Sequence, residues 1–310
     1  MTVQKYDIPI LLIAFNRPAT TRIVLEAIKK VKPSRLYLAL EAPRENNSED
    51  ELAVKEVREL FDSIDWAPNV YKRYAETNQG CGNGVYNAIS WVFEYEEKAV
   101  ILEDDCVPTL NFFYYCEELL ILYKNDPRVW MISGNNYNEE LVTTRHSYFF
   151  SKYMHIWGWA TWKRSWDQMD LSIKKYGDLL EQNLFYNLYH TKAEALYFKK
   201  RLDYIYYKND PKPYTWDFQF GLTILMNNGL CIMPVKNIVT NIGYSGIHTK
   251  SKNKYHERKV DEKFKITSHP DFVICDVNYD TNHFKKHWNV KKPIYMRFLH
   301  KALRLLGISK

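Results

Sequence analysis

The chain has 310 residues, 46% hydrophobic and 26% charged, with a net charge of +6. This is the balance of a globular protein with one large domain or two merged ones, and it excludes a disordered or low-complexity chain. The five cysteines (Cys81, Cys106, Cys116, Cys231 and Cys275) show no CxxC and no regular spacing, which argues against a disulfide framework and gives no zinc signature.

The predicted elements alternate through the first half. Ile8 to Phe15 is an unbroken apolar run, the mark of a strand buried on both faces. Arg17-Pro18 and Thr20 open a helix that runs to Lys30, and Arg35 to Leu40 is a second strand. An acidic helix is expected over 49–62 and a third strand over 70–75. Residues 78–84, NQGCGNG, are expected to form a loop, because three close glycines break regular structure. A helix then runs to about Glu97, followed by a strand over 99–102. Later come a strand over 129–133, an aromatic-dense stretch from Tyr148 to Trp166, helical segments through Tyr207 and a strand over 230–234. Strands alternating with helices predict an α/β fold with a mostly parallel central sheet, and ligands then gather at the carboxyl ends of its strands.

Aromatic residues make up 15% of the chain, with 24 Tyr and 9 Trp. Rings that pair an apolar face with a polar tip suit sugars; a Tyr-rich coding bias is the equal alternative. From Lys285 onward there are eight Lys or Arg and no acidic residue. After Pro293, Ile294, Phe298, Leu299, Leu303, Leu305 and Leu306 interleave with these cations, the pattern of a basic amphipathic helix over 293–310. It suits an anionic membrane surface better than nucleic acid, and a helix docked on the domain is the alternative. No secretory signal is expected before Ile8, since Asp7 and Pro9 interrupt the short apolar opening. A cytoplasmic protein, peripheral on the inner face of the membrane, is the resulting expectation.

The sharpest chemical feature is Val100-Ile101-Leu102-Glu103-Asp104-Asp105, three carboxylates ending an apolar strand. They repel one another unless a cation compensates. Oxygen-only ligands suit Mn²⁺ or Mg²⁺ bridging to phosphate oxygens; a solvated acidic turn is the alternative. The segment ILEDDCVPTLNFFYY resembles the acidic segment, apolar-Pro step and Phe-Phe helix of the N-acetylglucosaminyltransferase I family. Asn125-Asp126-Pro127 with Val129-Trp130 and Ser133, Trp157-Gly158-Trp159, and Trp216-Asp217 resemble further segments of that family, in order. The chain is also similar to bacterial sugar transferases with an N-terminal "FNRP" and a central "EDD". The resemblance spans roughly residues 8–245.

What the resemblance implies is a GT-A fold, Rossmann-like, with a helical and aromatic-rich acceptor side. Residues 1–135 would bind the nucleotide-sugar and 136–250 the acceptor, with 251–310 as a C-terminal extension. The implied activity is an inverting, metal-dependent transfer from a UDP-sugar to a hydroxyl of a glycan or lipid-linked acceptor in surface polysaccharide synthesis. Asp105 would be the direct metal ligand, and Glu103 and Asp104 would contact the donor. Arg17 would face the diphosphate. Asp217 would be the general base, its pKa lowered by the dipole of the helix it begins. Glu41 stands where the family presents an Asp to the nucleotide base, a departure that leaves the nucleotide open.

Other candidates rest on their surroundings. The loop from Asn78 can bring backbone amides to a phosphate or ribose. His248, in the Gly-bracketed polar loop 241–249, can complete the metal shell or touch the diphosphate, although a lone His is more often structural. Trp157 and Trp159 form either an acceptor platform or ordinary core. Two other functions compete with transfer. A sugar nucleotidyltransferase would carry a Gly-rich phosphate loop after the first strand, where this chain has Asn16-Arg17-Pro18-Ala19. A non-catalytic carbohydrate-binding protein would need only the aromatics.

Overall fold

The computed structural model describes residues 6–243 and 256–288. In chain order the elements begin with strand β1 (Ile10–Ala14), helix α1 (Pro18–Val31), β2 (Leu36–Leu40), α2 (Ser48–Asp62), β3 (Val70–Tyr74), α3 (Gly80–Phe93) and β4 (Lys98–Glu103). There follow β5 (Cys106–Pro108), α4 (Leu110–Leu122), β6 (Val129–Ser133), β7 (Tyr148–Ser151), β8 (Trp159–Trp162), α5 (Lys163–Trp166) and α6 (Tyr176–Glu181). The last are α7 (Lys192–Lys208), α8 (Asp217–Met226), β9 (Leu230–Pro234), β10 (Val239–Asn241) and α9 (Val277–His287).

Eight strands form one sheet in the order β3-β2-β1-β4-β8-β6-β9-β7. β3, β2, β1 and β4 are parallel, β6 is parallel to β9, and only β8 and β7 run against the rest. The protein is therefore an α/β fold with a mostly parallel central sheet. A separate antiparallel pair joins β5 to β10.

Alternation along the strands builds two cores. Ile10 and Leu12 of β1 face Val24 and Ile28 of α1, Phe61 of α2 and Phe112 of α4 on one side of the sheet. Leu11 joins Ile89 and Val92 of α3, Trp159 of β8 and Phe220 of α8 on the other. A strand buried on both faces must be apolar at every position, which explains the unbroken run of β1. Helix ends follow local chemistry. Pro18 opens α1, Asn47 caps α2 by accepting from Asp50 N–H at 3.0 Å, and Thr109 caps α4 by accepting from Phe112 N–H at 3.2 Å.

Two expectations change. Residues 80–84 are not a loop but the first turns of α3. Their glycines permit close approach rather than breaking the helix. A Cβ on Gly82 would stand 2.4 Å from the Pro213 carbonyl oxygen, and one on Gly84 would stand 2.3 Å from Glu41 Oε2. The aromatic stretch also contains two strands, and β8 is inserted between β4 and β6. The sequence from Asn125 to Ser133 has a structural role. Arg128 pairs with Asp126 at 2.7 Å, and Trp130 Nε1 donates to the Pro127 carbonyl at 3.0 Å as the turn enters β6.

His248 and the basic tail 293–310 lie outside the described residues. Among the described residues no helix is long and apolar enough to cross a membrane.

Candidate active site

The carboxylates end β4, and β4 lies beside β1 with Ile13 opposite Glu103. The turn after β1 therefore stands against them. Phe15 N–H donates to Asp104 Oδ2 at 3.1 Å. Arg17 Nη1 donates to Asp105 Oδ2 at 2.6 Å, and Nη2 pairs with Asp104 Oδ1. The Arg17 carbonyl is fixed by Thr21, through N–H at 3.0 Å and Oγ1 at 2.7 Å. Asn16 Nδ2 donates to buried Asp50 at 2.6 Å, and Arg44 Nη2 reaches the same carboxylate at 2.8 Å. The start of α2 thus ties together the loops that follow β1 and β2.

The other side of Asp105 is closed by the β5–β10 pair. Asn241 lies opposite Cys106, and its Nδ2 donates to Asp105 Oδ1 at 3.0 Å. Ile242 N–H donates to the Asp105 carbonyl at 2.9 Å. Gly243 packs so tightly that a Cβ would fall 2.0 Å from Asp105 Oδ2 and 2.7 Å from Arg17 Nη1.

Three carboxylates against one guanidinium leave this end of the sheet short of positive charge. Burial opposes the charge on Arg17, but Asp104 and Asp105 outweigh it and hold its pKa above the ordinary value. Burial raises the Asp104 pKa, and Arg17 pulls it back. Glu103 rises to about 8, through burial first and then repulsion from Asp105, with Arg17 opposing and Asp104 and Asp217 adding to the rise. A cation is what such a group lacks.

Oxygen donors of this kind suit Mn²⁺ or Mg²⁺. Asp105 Oδ1 accepts from Asn241 Nδ2 and from the Cys106 thiol at 3.3 Å, whereas Oδ2 accepts from Arg17 and keeps a second lone pair. The oxygen donors and the charge deficit would suit a divalent cation at Asp105 Oδ2, with Arg17 as the neighbouring fixed cation.

Glu41 follows β2 at the strand ends. Its Oε1 accepts from Ala42 N–H at 2.9 Å and Gln79 N–H at 3.2 Å, and its pKa is raised by burial against the pull of those N–H groups and of Lys212. Asn78 Nδ2 donates to the Ala42 carbonyl at 2.7 Å, and Lys212 Nζ donates to the Asn78 carbonyl at 2.9 Å. A cavity of about 40 Å³ opens here between Ile13, Glu41, Arg73 and Gly84.

Asp217 begins α8, as expected, and Thr215 Oγ1 donates to its Oδ1. Its pKa is not lowered. Burial raises it to about 6, and the N–H groups at the helix start offset only part of that rise. Desolvation of a half-buried carboxylate outweighs the partial charge of a helix end here. Asp217 acts on the charge of Glu103 and also lines a cavity of about 270 Å³, with Tyr137, His155, Trp157, Phe198 and Trp288. Glu194 and Tyr153 line its wall, and burial first, then the neighbouring Glu194 carboxylate, raise the pKa of the Tyr153 hydroxyl.

The two candidate tryptophans separate. Trp157 is half-buried and lines the cavity. Trp159 is fully buried in β8, stacked on Trp216 at 5.5 Å, and is core rather than platform. Trp157 precedes β8, and Gly158 at a φ of 67° breaks the extended backbone between them, so the two rings pack against opposite cores. Sequence reasoning pointed to the loop 241–249 for His248 and gave no role to Asn241, Gly243 or Lys212. Asn241 lies 136 residues from Asp105, and no local pattern connects the two.

No family model matches the chain, and no curated protein does. Among solved structures, mouse xyloside xylosyltransferase 1 in its apo form shares 13% identity over 71% of this chain and 82% of its own, with a TM-score of 0.35. UDP-glucose pyrophosphorylase complexed with UDP-glucose shares 10% over 52% of this chain and 78% of its own, with a TM-score of 0.31. HddC from Yersinia pseudotuberculosis, complexed with GMP-PN, shares 11% over the same two fractions, with a TM-score of 0.31. Likeness at this level carries no argument about activity, and the α/β architecture rests on the strand order itself.

Proposed function

We propose that this chain is a GT-A-type glycosyltransferase that moves a sugar from a nucleoside diphosphate, uridine being the first choice, to a hydroxyl of a glycan or lipid-linked acceptor, with inversion. One observation carries the reading. The charge-deficient cluster of Arg17, Glu103, Asp104 and Asp105 sits at the carboxyl ends of parallel strands, within electrostatic reach of Asp217 on the wall of an aromatic cavity.

In this reading residues 1–135 hold the donor and 136–250 the acceptor. Asp105 would hold Mn²⁺ or Mg²⁺, which when bound would supply Lewis-acid stabilisation of the leaving diphosphate, and Glu103 and Asp104 would contact the donor. Arg17 adds a fixed positive charge beside it, and Asn241 and Gly243 keep Asp105 in place. Glu41, with Asn78 and Lys212 beside it, bounds the space for the nucleoside. Trp157 offers an apolar face to the acceptor, and Glu194 and Tyr153 offer polar partners to its hydroxyls. Asp217, with a pKa of about 6, is mostly ionised at neutral pH and accepts the proton from the acceptor hydroxyl.

The test is hydrolysis of UDP-sugars without acceptor. Turnover should require Mn²⁺ or Mg²⁺ and fall by about 10³ in Asp105→Ala, as loss of several kcal/mol of charge stabilisation would give. Full metal-dependent turnover in that variant would remove Asp105 from the metal site.

A further inference from the structure

A second group of metal-ligating side chains lies away from the carboxylate cluster. His190 precedes α7, Cys275 precedes α9, and Asp280 lies within α9. Their ligand atoms converge on one point. Cys275 Sγ is 3.6 Å from His190 Nε2 and 3.1 Å from Asp280 Oδ2, and His190 Nε2 is 3.2 Å from the same oxygen. Zinc bonds of about 2.3 Å to sulfur and about 2.0 Å to nitrogen and oxygen, at tetrahedral angles, place S···N and S···O at about 3.5 Å and N···O at about 3.3 Å. The three observed separations match that face of a tetrahedron to within about 0.4 Å.

The surroundings favour an ion over a simple hydrogen-bonded trio. Asp280 is fully buried, and its Oδ1 accepts from Ser151 Oγ at 2.5 Å, which fixes the carboxylate and leaves Oδ2 turned to the other two ligands. Lys152 N–H also donates to Oδ2, at 2.9 Å. Such outer bonds are what hold a ligating carboxylate in orientation. The backbone at His190 is held by its amide N–H, which donates to Glu194 Oε2 at 3.0 Å. A thiolate, an imidazole and a carboxylate together select Zn²⁺ over Mg²⁺ or Mn²⁺.

We propose that His190, Cys275 and Asp280 form a zinc site, with solvent as the fourth ligand. Binding displaces the Cys275 thiol proton to solvent, and the thiolate takes its place on the metal. The ion joins the segment before α7 to α9. Helix α7 supplies Glu194 and Phe198 to the aromatic cavity, and the end of α9 and the residue after it supply His287 and Trp288, so the zinc holds that wall together. This site does not depend on the glycosyl-transfer reading.

The experiment uses the full chain, stripped with chelator and titrated with Co²⁺ and Zn²⁺. One equivalent of Co²⁺ should give a thiolate-to-cobalt charge-transfer band that Zn²⁺ bleaches. The band should vanish in Cys275→Ser and should persist in Asp105→Asn, which separates this site from the carboxylate cluster. Zinc affinity, read by competition with a chromophoric chelator, should fall by at least about 100-fold in Cys275→Ser and in His190→Ala. Circular dichroism checks that each variant folds, and His190→Gln provides the same reading if Cys275→Ser does not. No band in the folded wild-type protein, or equal zinc affinity in a folded ligand variant, overturns the proposal.

Discussion

The two ends of the candidate site are built differently. At the donor end, Arg17 and the three carboxylates come from adjacent parallel strands, and almost every polar atom of Asp104 and Asp105 already has a partner. At the cavity, the wall is assembled from the segment 152–157 between β7 and β8 and from α7, α8 and the end of α9, and Glu194 faces the Tyr153 hydroxyl within it. A parallel sheet brings strand ends together by topology, which sets Arg17 beside the Asp105 carboxylate, 88 residues away. The acceptor side depends on helices that meet only after folding. The contrast is between a charge centre held at strand ends and a cavity whose wall comes from separate helices and a loop.

The largest effect should come from the residue where the two ends meet. Asp217→Asn is expected to lower kcat by about 10²–10⁴, the usual contribution of a general base. Donor affinity measured by calorimetry should stay unchanged, and weakened donor binding would move Asp217 to the donor end. In the wild-type protein kcat should fall about tenfold per unit below pH 6, where Asp217 takes up its proton. The residual activity of the variant should lose that limb.

The tryptophan pair tests the contrast on stability. Trp159→Ala should cost about 3–5 kcal/mol in denaturant unfolding, as expected for a large ring removed from a core. Trp157→Ala should cost much less and should instead raise the acceptor KM. Equal effects from the two would mean that the cavity wall is core.

The smallest effect concerns Glu103. Its pKa rises from 4.5 to about 8 in the folded state, so the folded protein holds this proton more tightly than the unfolded chain. Stability from this group is full below pH 4.5 and is lost as pH rises toward 8. In chelated protein above pH 8, Glu103→Gln should raise Tm by roughly 2–4 °C. The gain should disappear near pH 4. A lower Tm at high pH would mean that Arg17 already balances the cluster.

The sequence by itself determined the strand framework and the placing of three carboxylates at a strand end. Continuous apolar runs such as 8–15 must be buried, and an acidic triplet ending one of them needs a cation nearby, so composition and order suffice. It also placed Asp217 at a helix start, but its protonation was misjudged, because burial is a tertiary quantity and here outweighs the helix end. Only the tertiary structure turned the glycines of 80–84 into a helix that Glu41 and Pro213 approach closely, and only it separated Trp157 from Trp159. It alone placed Asn241 against Asp105, and Cys275 beside His190 and Asp280, where cysteine spacing had given no metal signature. Strand patterning is local and readable along the chain. Convergence of side chains more than 80 residues apart depends on how the layers pack, and no local pattern records it.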